Sequence, residues 1–341
     1  MFTTPNSRKA SAPVRPGILL VNLGTPERPT PEAVRRYLRA FLGDPRVVEL
    51  PRLLWKPILE GLVLPFRPAR VARAYASIWH RGTDESPLRF YTRRQGERLQ
   101  ERFQQARRNI EVAWAMRYGE PSIERGLDQL IGTGCTEITL LPLYPQYSGT
   151  TTATVNDAAF AHLARLRDQP GLTTIHDFHD HPAYIDALAT SLSRAISDGP
   201  RPDHLLASFH GLPERNGVLG DPYAEQCRAT AERLRQRLHL GDTGYSVAFQ
   251  SQFGRQKWVG PSTQAEVVRL AKAGIRQLMV IAPGFMADCL ETLEEVRVEI
   301  HDLFVGAGGE RLTYVPCLND SDGAIDVLEA LTLERLGYLD L

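Results

Sequence analysis

Short apolar runs alternate with amphipathic helical segments along almost the whole chain, and this alternation constrains the fold more than any other feature. The first pairs are Gly17–Leu23 with Glu32–Phe41, and Ile110–Met116 with Ile123–Thr133. The same order continues through Glu137–Leu143, Thr173–Phe178, Tyr184–Ser197, Asp203–Phe209, Asp221–Leu238, Tyr245–Gln250, Gln264–Ala273, Leu278–Ala282 and Leu290–Phe304. Strands that alternate with helices predict an α/β fold whose parallel sheets are flanked by helices.

The length of the chain predicts two domains. Its 341 residues exceed what one hydrophobic core usually supports. We expect a disordered polar lead-in at residues 1–16, a Rossmann-like lobe at 17–165 and a second Rossmann-like lobe at 166–321. A C-terminal helix at about 322–341 is expected to pack back on the first lobe. The economical arrangement is two doubly wound lobes that face an active-site cleft.

Composition excludes several classes of protein. Lys plus Arg equals Asp plus Glu at 40 each, so nothing indicates a nucleic-acid partner. The four cysteines are scattered, which argues against a disulfide framework, a zinc ribbon or an iron–sulfur centre and favours a reducing cytoplasm. No apolar stretch reaches the roughly 18 residues that a membrane span needs. We therefore expect a cytoplasmic protein, with peripheral membrane contact as its one link to a bilayer.

Two motifs follow predicted strands and carry most of the chemistry of the chain. Ser-Phe-His-Gly-Leu-Pro at Ser208–Pro213 supplies an imidazole, and Pro283–Glu295 supplies carboxylates at the start of a helix. In open α/β sheets, ligands bind beyond the carboxyl ends of the strands. A base that faces a carboxylate in such a place suits proton removal, metal delivery or both.

Each motif also has a purely structural interpretation. A histidine in a β-to-α loop is often only a hydrogen-bonded structural residue. Glu291, Glu295 and Glu299 are spaced by four and lie opposite the apolar positions of their helix, as a solvent-exposed face also would. Periodicity alone favours that solvent-exposed face. Against it, three like charges at this spacing repel one another, and a π-bulge would align them into a line of acids.

A third candidate is the segment Leu50–Arg70, which is rich in Leu, Trp and Pro. Its prolines argue against one long helix. One interpretation of the segment is a buried connection in the core. The other is an exposed apolar lip, edged by Lys56, Arg67 and Arg70, that admits an apolar substrate or touches a membrane surface.

Other loops at predicted strand ends offer aromatic rings, hydroxyls and isolated cations. Tyr144–Thr152 carries two tyrosines and no charge, Gln250–Pro261 carries Trp258, and Arg117–Gly119 follows a further strand. This set of groups suits a flat, mostly apolar ligand with a few acidic substituents.

Taken together, these motifs resemble the ferrochelatase family. The resemblance covers nearly the whole chain and is carried, in order, by Val21–Pro26, Ser86–Leu88, Tyr144–Ser148, Ser208–Pro213, Gly220–Tyr223, Gln250–Gly254, Trp258–Pro261 and Asp288–Leu293. It implies two Rossmann-like lobes with a porphyrin bound in the cleft between them. It also implies an enzyme, a lyase that inserts Fe²⁺ into protoporphyrin IX to form protohaem in haem biosynthesis.

The resemblance implies roles for individual residues. His210 and Glu291 match the active-site histidine and glutamate of the family, which act in metal binding and in removal of pyrrole protons. Glu295 and Glu299 extend a carboxylate ladder that relays protons or metal, which reverses the preference for a solvent-exposed face. The residues expected to contact the porphyrin are Tyr144, Tyr147, Trp258, Arg70, Trp79 and Ser86.

Two departures from the family pattern matter. Many members have a second histidine where this chain has Cys289, a thiol that can ligate soft metals but accepts protons poorly when buried and neutral. Some members hold a [2Fe–2S] cluster through a cysteine-rich extension, whereas the last cysteine here is Cys317. We therefore expect a bacterial-type enzyme without the cluster or another tightly bound cofactor. The open alternatives are a chelatase for coproporphyrin or another divalent metal, and a non-catalytic porphyrin or haem carrier.

Overall fold

The computed structural model describes residues 14–241, 244–252 and 256–338, which fall into two compact units. The first unit contains the residues up to 143, residues 149–176 and those from 328 onward. The second contains residues 144–148 and 177–327. Most of the lead-in predicted at residues 1–16 lies outside the described residues. Within that range, the Arg15 N–H donates to Thr136 Oγ1 at 3.1 Å and Pro16 opens the first strand.

A parallel sheet forms the core of the first unit. Its strands are β1 (Pro16–Gly24), β2 (Glu111–Tyr118), β3 (Glu137–Pro142) and β4 (Gly171–Thr174), in the spatial order β2-β1-β3-β4. Its helices are α1 (Pro31–Leu42), α2 (Arg52–Ile58), the π-helix π1 (Leu59–Val63), α3 (Leu64–Ile78), α4 (Pro87–Gln105), α5 (Ile123–Gly132) and α6 (Thr152–Leu163). The central strand β1 is buried on both faces, as its continuous apolar run from Ile18 to Val21 requires.

The second unit is built around a sheet of the same kind. Its strands are β5 (His204–His210), β6 (Tyr245–Gln250), β7 (Gln277–Ile281) and β8 (Arg311–Val315), in the spatial order β6-β5-β7-β8. Its helices are α7 (Pro182–Asp198), α8 (Glu214–Val218), α9 (Tyr223–Arg237), α10 (Thr263–Lys272), the π-helix π2 (Glu291–Ile300) and α11 (His301–Gly306). The last helix, α12 (Asp322–Arg335), runs through the division between the units at residue 328.

The two units repeat one plan. In each, the first strand lies at the centre and pairs in parallel with the second and third strands of its sheet. After the second strand the chain turns back in the same way, because the N–H of Met116 donates to the Pro121 carbonyl at 2.7 Å and that of Phe249 to the Pro261 carbonyl at 2.9 Å. The serine after each proline caps the next helix with its hydroxyl.

Apolar side chains from the sheet and from π2 make one face of the second core. Val296 and Ile300 of π2 and Phe304 of α11 pack with the sheet residues Leu206 and Val280, all of them almost fully buried. Each such side chain contributes about 1.5–3 kcal/mol by leaving water. This packing fixes the direction in which the opposite, polar side of π2 points.

The structure corrects the division predicted at residues 165 and 166. β4 pairs with β3 in the first sheet, with Leu172 opposite Ile138, so it belongs to the first unit. The order of strands along a chain does not say which sheet a strand joins, and the second predicted lobe therefore took in β4. β8 has no counterpart among the predicted strands.

Helical backbone continues without a break from Arg52 to Ile78, contrary to the expectation that prolines prevent one long helix there. The wider turn π1 lies between α2 and α3. Pro57 lies inside α2 just before π1, and Pro65 and Pro68 lie in α3, so the helical backbone continues through three prolines. Within the described ranges, no helix combines the length and the apolar character needed to cross a bilayer.

Gly24 is expected to tolerate no side chain. Its φ is +116°, and a Cβ there would lie 1.9 Å from the Tyr118 carbonyl oxygen. Gly24→Ala should therefore lower the free energy of unfolding by about 2 kcal/mol or more, measured by urea denaturation. Gly61→Ala is the matched control, since a Cβ at Gly61 meets nothing within 4 Å. Equal midpoints for the two variants would contradict this close approach.

Candidate active site

The imidazole of His210 lies at the carboxyl end of β5, the central strand of its sheet. Its Nδ1 is 2.8 Å from the carbonyl oxygen of Gly211. Because a carbonyl oxygen only accepts, this contact assigns the proton of the neutral imidazole to Nδ1. Nε2 then carries the lone pair, which is able to accept a proton or bind a metal ion.

The position of His210 follows from the topology of the sheet. The chain passes from β5 to β6 on one side and then crosses to β7 on the other side of β5. The direction of winding therefore changes between β5 and β7, and ligands of open α/β sheets bind at the carboxyl ends of strands at such a point. His210 ends β5 and the motif Pro283–Glu295 follows β7, so both predicted motifs flank this switch point.

The acids of the second motif lie on a π-helix. Its inner side is apolar and buried at Val296 and Ile300. Of the three predicted acids, Glu291 and Glu295 are half-buried and Glu299 is exposed. The π-helical geometry considered from the sequence is thus present, and π-helical turns occur frequently at functional sites. The three acids run from partly buried positions to the solvent.

Polar groups from β6 and α10 hold Glu295. The Ser251 N–H donates to Oε1 at 2.7 Å, the Ser251 hydroxyl donates to Oε2, and Gln264 Nε2 lies 3.5 Å from Oε1. Burial raises the pKa of Glu295 above its usual value. The Ser251 hydrogen bonds oppose that rise in pKa, as His210 does when it is protonated, and the Glu291 carboxylate adds to the rise. These effects mark His210, Glu291 and Glu295 as one electrostatically interacting group.

Cys289, the departure from the family pattern, is buried directly before the acids. Burial raises the pKa of its thiol well above the usual value, and the neighbouring Glu291 carboxylate raises it further. The thiol is therefore neutral near pH 7 and does not serve as a proton acceptor. Across the residues that the structure describes, no three His, Cys, Asp or Glu side chains are grouped to hold a metal ion.

A buried carboxylate anchors the turn that precedes π2. Asp288 accepts hydrogen bonds from the Tyr314 hydroxyl at 2.6 Å, the Asn319 amide at 2.6 Å and the Thr292 hydroxyl at 3.0 Å. Asn319 in turn accepts the Asp288 N–H at 2.8 Å. A buried charge is tolerated when its lone pairs are satisfied in this way. Asp288 thereby ties the start of π2 to β8 and the segment after it.

Trp258 lies beside the turn that follows His210. The main chain at Trp258 forms an antiparallel bridge with Pro213. A Cβ placed on Gly211 would be 2.7 Å from the Gln250 carbonyl oxygen and 3.4 Å from the indole Cε3, so glycine here allows the close approach to Gln250, and the ring lies next to it. The prediction that Trp258 contacts a ligand at the His210 end of the sheet is compatible with this position.

Tyr144 and Tyr147 also belong to the second unit, on its short segment 144–148. Both side chains are half-buried. The Tyr147 N–H donates to Gln226 Oε1 at 2.7 Å, and Gln146 Nε2 donates to the Pro283 carbonyl at 3.0 Å. These bonds fix the segment against the start of the second motif.

The other predicted porphyrin contacts, Arg70, Trp79 and Ser86, belong to the first unit. Arg70 is exposed on α3, and Trp79, which follows α3, donates its Nε1–H to Asp84 at 2.9 Å. Ser86 is buried, and its hydroxyl caps α4 by accepting the Arg89 N–H at 3.2 Å. The structure gives Ser86 a capping role, and its contact with a porphyrin stays a prediction.

The segment Leu50–Arg70 is not the buried connection that was one of its two interpretations. One side of α2, π1 and α3 presents large apolar side chains to solvent. This apolar surface consists of Leu53 (90% exposed), Leu54 (65%), Ile58 (40%), Leu62 (64%) and Phe66 (75%). Exposed apolar side chains grouped along one segment are common at interaction sites.

Comparison with known proteins decides the family. The sequence model of the family described as Ferrochelatase matches residues 15–336. The chain belongs to the ferrochelatase family. It is therefore an enzyme, a metal chelatase of haem biosynthesis, and family membership implies a porphyrin and a metal as its substrates.

Individual ferrochelatases are similar over almost their whole length. The ferrochelatase of Brucella ovis is 46% identical over 338 residues, which cover 98% of this chain and 96% of that protein. The ferrochelatase of Rhizobium etli (strain CIAT 652) is 49% identical over 321 residues, which cover 94% of this chain and 93% of that protein.

Solved structures of chelatases share the fold. The sirohydrochlorin chelatase SirB from Bacillus subtilis subspecies spizizenii, in complex with cobalt, matches with a TM-score of 0.54 at 9% identity, covering 94% of this chain and 95% of that chain. SirB from Bacillus subtilis with Fe³⁺ gives a TM-score of 0.53 at 11% identity, covering 95% and 99%. This likeness, with the two parallel four-stranded sheets, confirms the predicted chelatase-like fold of two Rossmann-like lobes.

Several residues that shape the site had no predicted role. Ser251 directly follows β6 and Gln250 ends it, so their place at a strand end was the available signal. Asp288 lies inside the second motif but looked like one acid among several. Tyr314 and Asn319 come from β8 and the segment after it, and no sequence pattern linked them to the site.

The raised pKa of Glu295 makes a prediction about stability. The folded protein binds this proton more tightly than the unfolded chain, so stability falls as pH rises from 4.5 through the folded-state pKa. Glu295→Gln should therefore raise the melting temperature at pH 7 and lose that advantage below pH 4.5. Glu299→Gln, at an exposed position on the same helix, is the control and should show little change at either pH. A constant difference between wild type and Glu295→Gln from pH 4 to 8 would refute this expectation.

Proposed function

We propose that this family member inserts Fe²⁺ into protoporphyrin IX, forming protohaem. The observation that carries the proposal is that His210 ends β5 at the switch point of the second sheet, while Ser251, directly after the adjacent strand β6, holds the Glu295 carboxylate. An imidazole with its lone pair on Nε2 and the acids of π2 are thus placed at one end of the sheet. Metallation requires both kinds of group, because two pyrrole protons leave the ring as one divalent cation enters it.

The proposed steps balance in charge and protons. Fe²⁺ bonds to the four ring nitrogens, the two pyrrole N–H bonds break, and two protons leave. Nε2 of His210 accepts pyrrole protons, and Glu291 presents the cation. Glu295 and Glu299 continue toward solvent and relay protons or metal. Because the Cys289 thiol is neutral, His210 carries the base role that members with a second histidine are able to share.

The ring itself is recognised by aromatic and polar groups. Trp258, Tyr144 and Tyr147 in the second unit offer aromatic faces and hydroxyls. Arg70, Trp79 and Ser86 of the first unit stay predicted porphyrin contacts. Binding energy from the periphery of the ring is available to bend the macrocycle and expose its nitrogen lone pairs.

The proposal is tested by mixing the protein anaerobically with protoporphyrin IX and Fe²⁺ and following the Soret band. Parallel reactions with coproporphyrin, Co²⁺ and Ni²⁺ address the alternative chelatases. A higher kcat/KM for coproporphyrin would reassign the tetrapyrrole, and faster insertion of another metal would reassign the cation. Porphyrin binding without turnover would indicate a carrier and overturn the proposal.

His210→Ala is expected to abolish iron insertion while porphyrin binding survives. Loss of a general base of this kind costs about 10²–10⁴ in rate. The measurement is kcat in the Soret assay together with a fluorescence titration of porphyrin binding. His301→Ala, at an exposed histidine paired with Asp302, is the control and should keep wild-type kcat. Unchanged turnover in His210→Ala would contradict the role of His210 as the acceptor of pyrrole protons.

Glu291→Gln is expected to lose most of the activity, about 10²-fold, because the amide neither binds the cation strongly nor accepts a proton. Glu294→Gln is the matched control, on the same helix but outside the ladder of acids. It should retain activity close to wild type. A near-normal rate for Glu291→Gln would mean that the acids form only a solvated face.

The apolar surface of the first unit supports peripheral contact with a lipid bilayer. Its five large apolar side chains are exposed, and basic residues lie close by in sequence at Lys56, Arg67 and Arg70. Apolar side chains that enter a bilayer, with basic residues near lipid headgroups, are typical of interfacial helices. The same contact would place the enzyme where an apolar porphyrin is dissolved. We place the enzyme in the cytoplasm and expect it to work without an iron–sulfur cluster.

The double variant Leu53→Asp/Leu62→Asp is expected to weaken binding to anionic lipid vesicles at least tenfold, measured by cosedimentation. Each exposed leucine contributes about 1.5–3 kcal/mol when it leaves water. The control is Val218→Asp in the second unit, where the side chain is 86% exposed but lies outside the apolar surface. If the double variant and Val218→Asp both bind vesicles as the wild type does, residues 50–70 do not form the membrane contact.

A further inference from the structure

We propose that Gln250 and Ser251, at the carboxyl end of β6, are positioning residues that hold Glu291 and Glu295 in the geometry used for metal transfer. The inference deepens the proposed function, on which it rests, because it assigns how the Glu295 carboxylate and the main chain at Glu291 are fixed. It stands on three contacts between this dipeptide and π2, and on the backbone conformation of Ser251.

Ser251 fixes both oxygens of one carboxylate. Its N–H donates to Glu295 Oε1 at 2.7 Å, and its hydroxyl donates to Oε2. Hydrogen bonds to an ionised acceptor are stronger than neutral ones, and two of them from one residue prevent free rotation of the carboxylate. The remaining lone pairs of Glu295 therefore keep one direction relative to β6.

Ser251 adopts an uncommon backbone conformation to do this. Its φ is +62°, in the left-handed region that costs a residue with a side chain about 1 kcal/mol or more. The turn begins directly where β6 ends, and the Ser251 N–H goes to Glu295. Strain of this kind persists where the surrounding structure fixes it, and here the fixed partner is an acid of the proposed site.

Gln250 acts on the main chain of the same π-helix. It is fully buried, its Nε2 donates to the Glu291 carbonyl at 2.7 Å, and its Oε1 accepts the Ser208 hydroxyl at 2.7 Å. The Glu291 carbonyl is the acceptor that the N–H four residues on would use in an α-helix. A side-chain donor on this carbonyl favours the wider π-helical turn, which is one recognised cause of such distortions.

The dipeptide also relates the acids to the imidazole. Gln250 lies opposite His210 in the parallel pairing of β5 with β6, and the Gly211 N–H donates to the Gln250 carbonyl at 2.8 Å. The turn that follows the base at the end of β5 and the acids on π2 are therefore both hydrogen-bonded to the dipeptide of Gln250 and Ser251. A change at Ser251 should disturb the acids while leaving the imidazole in place.

The test is a double-mutant cycle in which the rate of metal insertion is measured, using the metal and tetrapyrrole that the wild type turns over. Ser251→Ala removes the hydroxyl and should lower kcat about 10- to 100-fold, the usual cost of losing a partner of a metal-handling side chain. The KM for porphyrin should stay unchanged. In the Glu295→Gln background, Ser251→Ala should cost less than about twofold more, because both changes act through one carboxylate.

Two further variants separate positioning from folding. Ser251→Gly also removes the hydroxyl but relieves the left-handed strain, so it should match Ser251→Ala in kcat while melting at a higher temperature. Ser262→Ala removes a helix cap in the same unit and should lower the melting temperature with kcat unchanged. Three results would each overturn the inference. They are losses in kcat that multiply when Ser251→Ala and Glu295→Gln are combined, a changed KM for porphyrin, and wild-type kcat in Ser251→Gly.

Failure of the inference and failure of the proposed function give different results. If Glu291→Gln and Glu295→Gln lose activity but Ser251→Ala does not, the acids act as proposed and Ser251 does not position them. If both acid variants keep wild-type kcat, the proposed role of the acids fails and the inference falls with it.

Discussion

The site depends on the parallel pairing of β5 with β6 and β7. This pairing sets His210 opposite Gln250 and places the segment after β7 beside the end of β5. A shift of the register by one residue would move His210 out of its place opposite Gln250 and turn its side chain to the other face of the sheet. The chemistry of the second unit is thus fixed first by backbone hydrogen bonds, and only then by side chains.

Placing carboxylates beside a hydrophobic core costs free energy of hydration, and the local structure responds in two ways. Asp288 is fully enclosed and satisfied by the Tyr314, Thr292 and Asn319 side chains, so it acts as an anchor. Glu295 is only half-buried and has donors from Ser251, yet its pKa remains raised because burial outweighs them. The first arrangement gives rigidity, and the second leaves an acid that keeps its proton to a higher pH than a free glutamate does.

Much of the fold was predictable because apolar runs and helical periodicity are local properties. The predicted strand Tyr245–Gln250 agrees residue for residue with β6, and Ile123–Thr133 ends within one residue of α5. The membership of β4 was not predictable, since a four-residue strand carries no signal for the sheet that it joins. The continuous helix through Pro57 was missed because propensity rules treat an internal proline as a helix breaker, whereas here α2 continues directly into π1.

For the site, His210 and Glu291 stood out because each follows a buried strand. The residues that hold the acids in place by hydrogen bonds did not stand out. The link between Asp288 and Tyr314 joins residues 26 positions apart through a hydrogen bond that no periodicity encodes. Likewise, the role of Ser251 depends on a positive φ that Ser seldom adopts, and composition gives no hint of it.

Because the two units repeat one plan, the strand ends of the first unit can be compared directly with those of the second. Leu23-Gly24-Thr25-Pro26 ends β1 where His210-Gly211-Leu212-Pro213 ends β5, so the copy in the first unit has leucine in place of the imidazole. The return from the second strand to its proline spans residues 117–120 in the first unit and 250–260 in the second. The longer loop is the one that supplies Ser251 and Trp258. The two units therefore share the geometry of the strand end, and at these points they differ in the imidazole and in the length of the connection that carries Ser251 and Trp258.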